Sequence, residues 1–87
     1  MLIYRKIQGG LMTVGQIDPA SAYDVAGKAT VHLDDGIKRA LNVGNPDPFP
    51  TFAEAAEWLR GVFPGAVFGK QYDAKAGRAV TLEEMTA

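Results

Sequence analysis

The sequence predicts an α+β fold, in which a small antiparallel β-sheet built from hairpins is packed on one face by a single amphipathic α-helix at about residues 52–62. Three observations predict it. Short apolar segments alternate with turn residues, a helix-capping pattern opens one longer apolar repeat, and the chain is 47% hydrophobic and 22% charged, as globular proteins are. A length of 87 residues predicts a single domain over residues 1–87.

The N-terminal part of the chain predicts a first β-hairpin. Residues 2–8 are apolar and β-branched enough for a strand, and residues 11–17 have the same character after the pair Gly9-Gly10. Two glycines can supply the positive φ values that a two-residue primed turn needs. We therefore expect the turn of this hairpin at Gly9-Gly10.

Residues 18–28 fit two structures. Asp18-Pro19 suits the N-cap and first position of a helix, whereas residues 23–26 are typical of a short strand. Gly27-Lys28 then predicts a turn into the next strand. The sequence leaves this segment open between helix and strand.

A second hairpin is predicted around Asp34-Asp35-Gly36. It would join a strand at residues 29–33 to a strand at residues 37–43, because an Asp-Gly pair flanked by alternating apolar residues is the strongest short-range hairpin signal. Val31 and Leu33 would then lie on one face of the sheet. That face is apolar and needs a cover.

The cover is the predicted helix. Thr51 and Glu54 form a T-x-x-E capping box, and three prolines within residues 46–50 stiffen the approach to it. Apolar residues then recur at spacings of three and four, at Phe52, Ala55, Ala56, Leu59 and Val62 or Phe63. Gly61 and Pro64-Gly65 end the helix.

The C-terminal part of the chain predicts a third hairpin. Residues 66–73 and 78–82 have strand character and are separated by residues 74–77. Residues 83–87 are expected to be a frayed tail. In this arrangement the sheet face opposite the helix is open to water or to a partner.

Composition excludes several kinds of site. Without cysteine the chain has no disulfide, no thiolate nucleophile and no Cys-based metal site, and a reducing, cytoplasmic location is expected. Arg5-Lys6 follow an apolar run too short for a signal peptide, and no segment has the roughly 18 apolar residues of a membrane span. The net charge of -1 supplies no field to attract a polyanion, so direct nucleic acid binding is not expected.

The sequence contains no recognisable catalytic motif. His32 is the only histidine, and the nearest carboxylates in the sequence are Asp34 and Asp35. A His-Asp pair without an identifiable nucleophile is a weak catalytic signal, and the acidic turn lacks the ligand pattern of a calcium loop. Glu54 and Glu57 lie on one helix, which cannot complete a two-carboxylate metal site. No enzymatic activity, metal or cofactor is therefore expected.

These exclusions favour a non-enzymatic interaction protein that binds stoichiometrically to a larger protein or nucleoprotein partner, as an inhibitor or adaptor. A one-sided sheet can offer an open face, an edge strand and the rigid loop at residues 45–50. The expected partner-binding residues are Phe49, Trp58, Lys38 and Arg39. Packing within the protein is the alternative for the two aromatic residues. Phages and mobile elements encode small inhibitors and adaptors of this general character.

A second hypothesis is a small dimeric domain that binds a nucleotide or another anionic metabolite, between helix and sheet or across the dimer axis. Its expected ligand-binding residues are Arg39, Arg60 and Tyr72. A homodimer is considered because a chain of this size buries only about two thirds of its unfolded surface. A third hypothesis, an enzyme that uses His32 with Asp34, has the weakest support.

Overall fold

The computed structural model describes residues 1–86 and confirms the predicted α+β class. Within these residues the strands are β1 (Leu2–Ile7), β2 (Gly10–Pro19), β3 (Ala29–Leu33), β4 (Val67–Phe68), β5 (Gln71–Asp73) and β6 (Arg78–Val80). The helices are α1 (Asp35–Leu41), α2 (Phe52–Val62) and α3 (Leu82–Thr86). A four-stranded antiparallel sheet has the order β3-β2-β1-β4, and β5 pairs with β6 in a separate two-stranded sheet.

The predicted first hairpin is confirmed, with its turn one residue earlier than expected. Ile7 lies opposite Gly10 at the end of the β1–β2 pairing, so Gln8 and Gly9 make the turn. Gly9 has a φ of 88°, in the left-handed region that glycine adopts without strain. Gly10 instead begins β2.

A β-bulge shapes this hairpin near its middle. The register shifts after Ile3, which lies opposite Gly15, and the extra residue Val14 is buried at 2% exposure. A Cβ atom at Gly15 would overlap the carbonyl oxygen of His32 on β3. Glycine at this position therefore allows β2 and β3 to approach each other closely.

The segment left open by the sequence is mostly a series of turns. β2 continues to Pro19, and residues 20–28 contain turns rather than a helix or a further strand. The main-chain nitrogen of Ala20 donates to the carbonyl oxygen of Lys28, at 2.8 Å. This bond closes the connection between β2 and β3.

The predicted second hairpin is wrong, because β3 pairs with β2 and is followed by α1. Asp34 is the extended N-cap of α1 (φ -64°, ψ 149°), and Asn42 is its left-handed C-cap (φ 56°, ψ 47°). Asp35 lies in the first turn, and Lys38 and Arg39 lie in the last, where each charge is favourable for the helix dipole. The sequence contains both the Asp-Gly turn signal and these helix-capping residues, and the structure forms the helix.

Burial explains why the helical signal wins over the turn signal. Ile37 and Leu41 are four residues apart, a spacing that places both on one face of a helix. Ile37 joins the core at 8% exposure, and Leu41 packs against the core from its margin. Lys38 and Arg39 consequently lie on a helix and not, as predicted, on a strand.

The helix α2 is confirmed with the predicted bounds and cap. The Thr51 hydroxyl accepts a hydrogen bond from the main-chain nitrogen of Glu54 at 3.2 Å and lies 3.3 Å from the Glu54 carboxylate. The buried residues of α2 are Phe52, Ala55, Ala56 and Leu59. They pack on β2 and β3 over a sheet face that includes Ile3, Ile17, Val31 and Leu33. On the opposite face Gln16 and His32 are exposed, as expected for an open sheet face.

The predicted third hairpin is only partly correct. Residues 66–73, expected to be one strand, are divided between β4 and β5. β4 pairs with β1 through Val67 and Phe68, whereas β5 pairs with β6 as predicted. Gly77, with a φ of 68°, lies in the turn between β5 and β6.

Part of the segment that we expected to fray forms the short helix α3. A second capping box begins it, because the Thr81 hydroxyl accepts from the main-chain nitrogen of Glu84 and the Glu84 carboxylate accepts from that of Thr81, both at 3.2 Å. Leu82 anchors α3 in the core at 3% exposure. Residue 87 lies outside the described residues. Among the helices of residues 1–86, none has the length and hydropathy needed to cross a bilayer.

Candidate interaction site

The proline-rich loop, residues 44–50, lies along the outer edge of β3. Phe49 exchanges two main-chain hydrogen bonds with Ala29: its nitrogen donates at 2.8 Å and its oxygen accepts at 3.1 Å. Further along the strand, the Asn45 side-chain oxygen accepts from the nitrogen of Leu33 at 3.3 Å. The loop therefore covers an edge that would otherwise present main-chain donors and acceptors to other chains.

Two of the expected partner-binding residues, Phe49 and Trp58, contact each other. Their ring centroids are 5.9 Å apart and the rings are tilted by 44°, a favourable aromatic geometry. Both side chains are half-buried and pack against the core. This contact holds the proline-rich loop against α2.

The other two expected partner-binding residues, Lys38 and Arg39, lie on α1. The Lys38 ammonium is 3.1 Å from the carboxylate of Asp35, and Arg39 is exposed. Both basic residues line an open depression of about 570 Å³ that also involves Asn42 and Gly44. The aromatic pair does not line this depression, so the four expected residues fall into two separate pairs.

The residues expected for an anionic ligand are not brought into one cavity. Arg39 lines the depression beside α1, whereas Arg60 lines a cavity of about 370 Å³ between α2 and α3. The Arg60 guanidinium lies over the ring of Phe68, 5.1 Å from its centroid. Tyr72 is 57% exposed on β5 and lines neither cavity.

The histidine lies beside a different carboxylate from the expected one. The Nε2 atom of His32 is 3.5 Å from the carboxylate of Asp18, to which Gln16 also donates at 2.9 and 3.1 Å. His32 and Asp34 share the lining of a small cavity of about 160 Å³. The His32 and Asp18 side chains are 54% and 46% exposed, so water surrounds the pair. Within residues 1–86, no three His, Asp or Glu side chains are grouped as a metal site.

Sequence reasoning missed the most exposed part of the sheet, which we call the hairpin tip and define as residues 5–13. Every residue of the hairpin tip is exposed. β4 pairs with β1 only at Ile3 and Tyr4, and β3 pairs with β2 only from Gly15 to Pro19. In the part of the chain that the structure describes, the hairpin tip is thus a two-stranded ribbon without a further strand on either side.

Large apolar side chains are exposed on both faces of the hairpin tip. Ile7 is 43% exposed, Leu11 51% and Met12 41%. Met12 lies opposite Arg5 and Leu11 lies opposite Lys6, so each face carries one of these cross-strand pairs. The hairpin tip therefore combines apolar and basic surface on both of its faces.

The charged side chains of the hairpin tip are all positive. Residues 1–17 contain Arg5 and Lys6 but neither Asp nor Glu. Ion pairs in the described residues join His32 to Asp18, Lys38 to Asp35 and Arg78 to Glu84, and none involves these two cations. This local run of positive charge was visible in the sequence, although the overall net charge conceals it.

A groove of about 360 Å³ separates the hairpin tip from α1. Its apolar lining includes Met12, Val14, Ile37 and Ala40. Arg5 also lines the groove, from the β1 side of the ribbon. The groove exists because residues 35–41 form a helix, and the incorrectly predicted strand there concealed it.

The comparisons with known proteins identify no relative. No protein-family model, no curated protein and no solved structure matches the chain.

Proposed function

We propose that the protein acts without catalysis, by stoichiometric binding to a larger protein or nucleoprotein, and that the hairpin tip is its contact surface. The observation that carries the proposal is the exposure of Ile7, Leu11 and Met12, each above 40%, on a ribbon of strand with open edges. Contiguous exposed apolar side chains beside basic ones are characteristic of protein interaction sites.

Burial of these three side chains would supply part of the energy of an interface. Burying a fully exposed Leu, Ile or Met side chain contributes about 1.5–3 kcal/mol, so burying the exposed part of each of these three contributes about 1 kcal/mol. Together they contribute about 3 kcal/mol, or roughly a hundredfold in affinity. Basic side chains around them add orientation and speed of association more than affinity.

The setting we propose is cytoplasmic, and the role is that of an inhibitor or adaptor. Absence of cysteine supports a reducing compartment. The exposure of the His32 and Asp18 side chains to water, beside a cavity of only about 160 Å³, supports a role that needs no chemistry. Similarity to the small inhibitors and adaptors of phages and mobile elements rests on size and composition alone.

Affinity capture from the native host's lysate tests the proposal. The wild-type protein is compared with the triple variant Ile7→Ser, Leu11→Ser, Met12→Ser and with the control Tyr23→Ser, Tyr72→Ser, which removes exposed aromatic residues elsewhere. Wild type and control should retain the same partner, and light scattering on the purified complex should give a fixed stoichiometry. The hairpin-tip variant should lose that partner while circular dichroism shows it to be folded.

Two results would each contradict one part of this proposal, the contact surface or the binding role. One is a partner retained equally by the folded hairpin-tip variant, which would place the contact surface elsewhere. The other is the absence of any protein retained above background by the wild type.

A further inference from the structure

Building on the proposed function, we infer that the groove between the hairpin tip and α1 receives an extended segment of the partner protein in which acidic and apolar side chains alternate. Three features of the groove support this occupant: its apolar lining, the open edge of β2 beside it, and the charge around it.

The lining suits apolar side chains. A volume of about 360 Å³ is at the small end of protein binding cavities, and it accommodates side chains of a partner rather than a large cofactor. Ala40 contributes a small side chain on the α1 side, and this leaves space. Met12 on the other side is flexible and can adapt its shape to what it contacts.

The edge of β2 suits an extended chain. Asp34 continues from β3 and donates from its main-chain nitrogen to the oxygen of Val14 at 2.9 Å. After Asp34 the chain turns into α1. Within the described residues, no strand therefore pairs with residues 11–13 of β2 on the side of β3. A segment of the partner can therefore continue the sheet where β3 leaves it, by strand addition.

The charge on the ribbon face next to the groove selects the partner. Arg5 lines the groove and Lys6 is its neighbour in β1, and within residues 1–86 neither takes part in an ion pair. Because Arg5 and Lys6 point to opposite faces of the ribbon, a segment added to β2 presents one set of alternate side chains to the apolar lining beside Arg5 and the other set to the face of Lys6. Carboxylates in that second set can pair with the Lys6 ammonium. Asp34 is the one acidic residue in the lining.

The same charges disfavour two other occupants. A second copy of this chain that joined along the β1 edge of the hairpin tip would bring Arg5 and Lys6 close to another pair of cations, which is destabilising. A nucleic acid would meet two cations on a protein whose net charge is -1, and it would leave the apolar lining without a suitable partner.

The test uses the full chain and defined probes. The probe is an eight-residue peptide of alternating Leu and Glu, and its controls are a Leu/Lys peptide, a Ser/Glu peptide and a single-stranded oligonucleotide. Affinity is measured by fluorescence anisotropy of the labelled probe, and the contact residues by changes in amide chemical shifts. Protein variants are Lys6→Glu and Ala40→Leu, with Lys75→Glu as the control for charge because Lys75 is exposed in the turn between β5 and β6.

Saturable binding of the Leu/Glu peptide is expected, with shifts concentrated at residues 11–13 and 36–40. Lys6→Glu, which reverses a charge, and Ala40→Leu, which fills the groove, should each weaken binding about tenfold, while Lys75→Glu should not. The inference is overturned if the Leu/Lys peptide, the Ser/Glu peptide or the oligonucleotide binds as tightly. It is also overturned if no probe saturates up to 1 mM, or if the protein dimerises with shifts at the hairpin tip.

These outcomes are separable from failure of the proposed function. If the probes fail while the Ile7, Leu11 and Met12 variant still loses its partner from lysate, the hairpin tip remains the contact surface. Only the groove and its acidic occupant would then be wrong.

Discussion

The edge of β3 and the edges of the hairpin tip differ in whether the rest of the chain covers them. Along β3 the proline-rich loop covers the edge, with Phe49 bonded to Ala29 and packed on Trp58. At the hairpin tip both edges stay open, and Leu11 and Met12 are exposed beside them. The edge of β3 is covered by the proline-rich loop, and the edges of the hairpin tip are left accessible.

Under the proposed function, this difference separates a structural requirement from a functional one. Exposed edges invite unwanted pairing, and proteins usually cover them or place charges on them. The proline-rich loop covers the edge at β3, while Arg5 and Lys6 place charge on the hairpin tip. The exposed apolar residues beside those charges do not belong to the buried core, and this supports the proposal that they form a contact surface.

The largest effect on stability is expected in the core between α2 and the sheet. Phe52 is fully buried, so Phe52→Ala should lower the free energy of unfolding by about 3–5 kcal/mol. Leu11→Ala at the hairpin tip should change it by no more than about 0.5 kcal/mol. Urea denaturation followed by circular dichroism measures both. If Phe52→Ala does not fold, Phe52→Leu supplies a smaller loss for the comparison, and equal losses at Phe52 and Leu11 would remove the distinction between the two regions.

A smaller effect is expected when the loop is loosened from β3. Phe49→Ala removes the contact with Trp58 and should cost about 1–3 kcal/mol of unfolding free energy. The amide of Ala29, which donates to Phe49, should then exchange with solvent faster than in the wild type. Tyr72→Ala, at an exposed aromatic residue, is the control. Unchanged exchange at Ala29 would show that the main-chain bonds alone hold the loop.

The smallest effect is expected on acidification, and it is confined to α3. The Arg78 guanidinium, followed by the main chain of Thr81, lowers the pKa of Glu84 from 4.5 to about 2 by hydrogen bonding to its carboxylate. A lowered pKa means that this stabilisation is complete above pH 4.5 and is lost as the pH falls toward 2. The amide chemical shift of Thr81, whose main-chain nitrogen donates to the Glu84 carboxylate, should titrate in that range and stop doing so in Glu84→Gln. A parallel titration in Glu83→Gln should be retained.

Local signals predicted the elements whose sequence supports one structure only. Thr51 and Glu54 form a capping box that leads into a helical repeat, and α2 has the bounds that this pattern predicts. Gly9 likewise supports a hairpin turn in a stretch of strand-forming residues. In both places tertiary packing agrees with local preference.

Two local signals compete around Asp35 and Gly36, and the sequence does not show which applies. The Asp-Gly pair is typical of a hairpin turn, but the same stretch carries helix caps at Asp34 and Asn42. Burial of Ile37 against the core decides for the helix. The candidate site depended on this outcome, because the groove has α1 as one wall.

The hairpin tip could be predicted only in part. Its lack of carboxylates and its apolar residues Ile7, Leu11 and Met12 are readable in the sequence. Its exposure is not, because exposure depends on β3 stopping at the level of Gly15 and β4 reaching only Tyr4. Those limits follow from the course of the whole chain, which no local pattern encodes.

The contact between Phe49 and Trp58 also gives the protein an internal optical probe. Trp58 is the only tryptophan, and its indole ring lies against the segment that covers β3. Its emission spectrum therefore reports whether that segment is seated or has moved into water, without any attached dye. Detachment of the segment can be followed by this signal separately from the loss of helix that accompanies global unfolding.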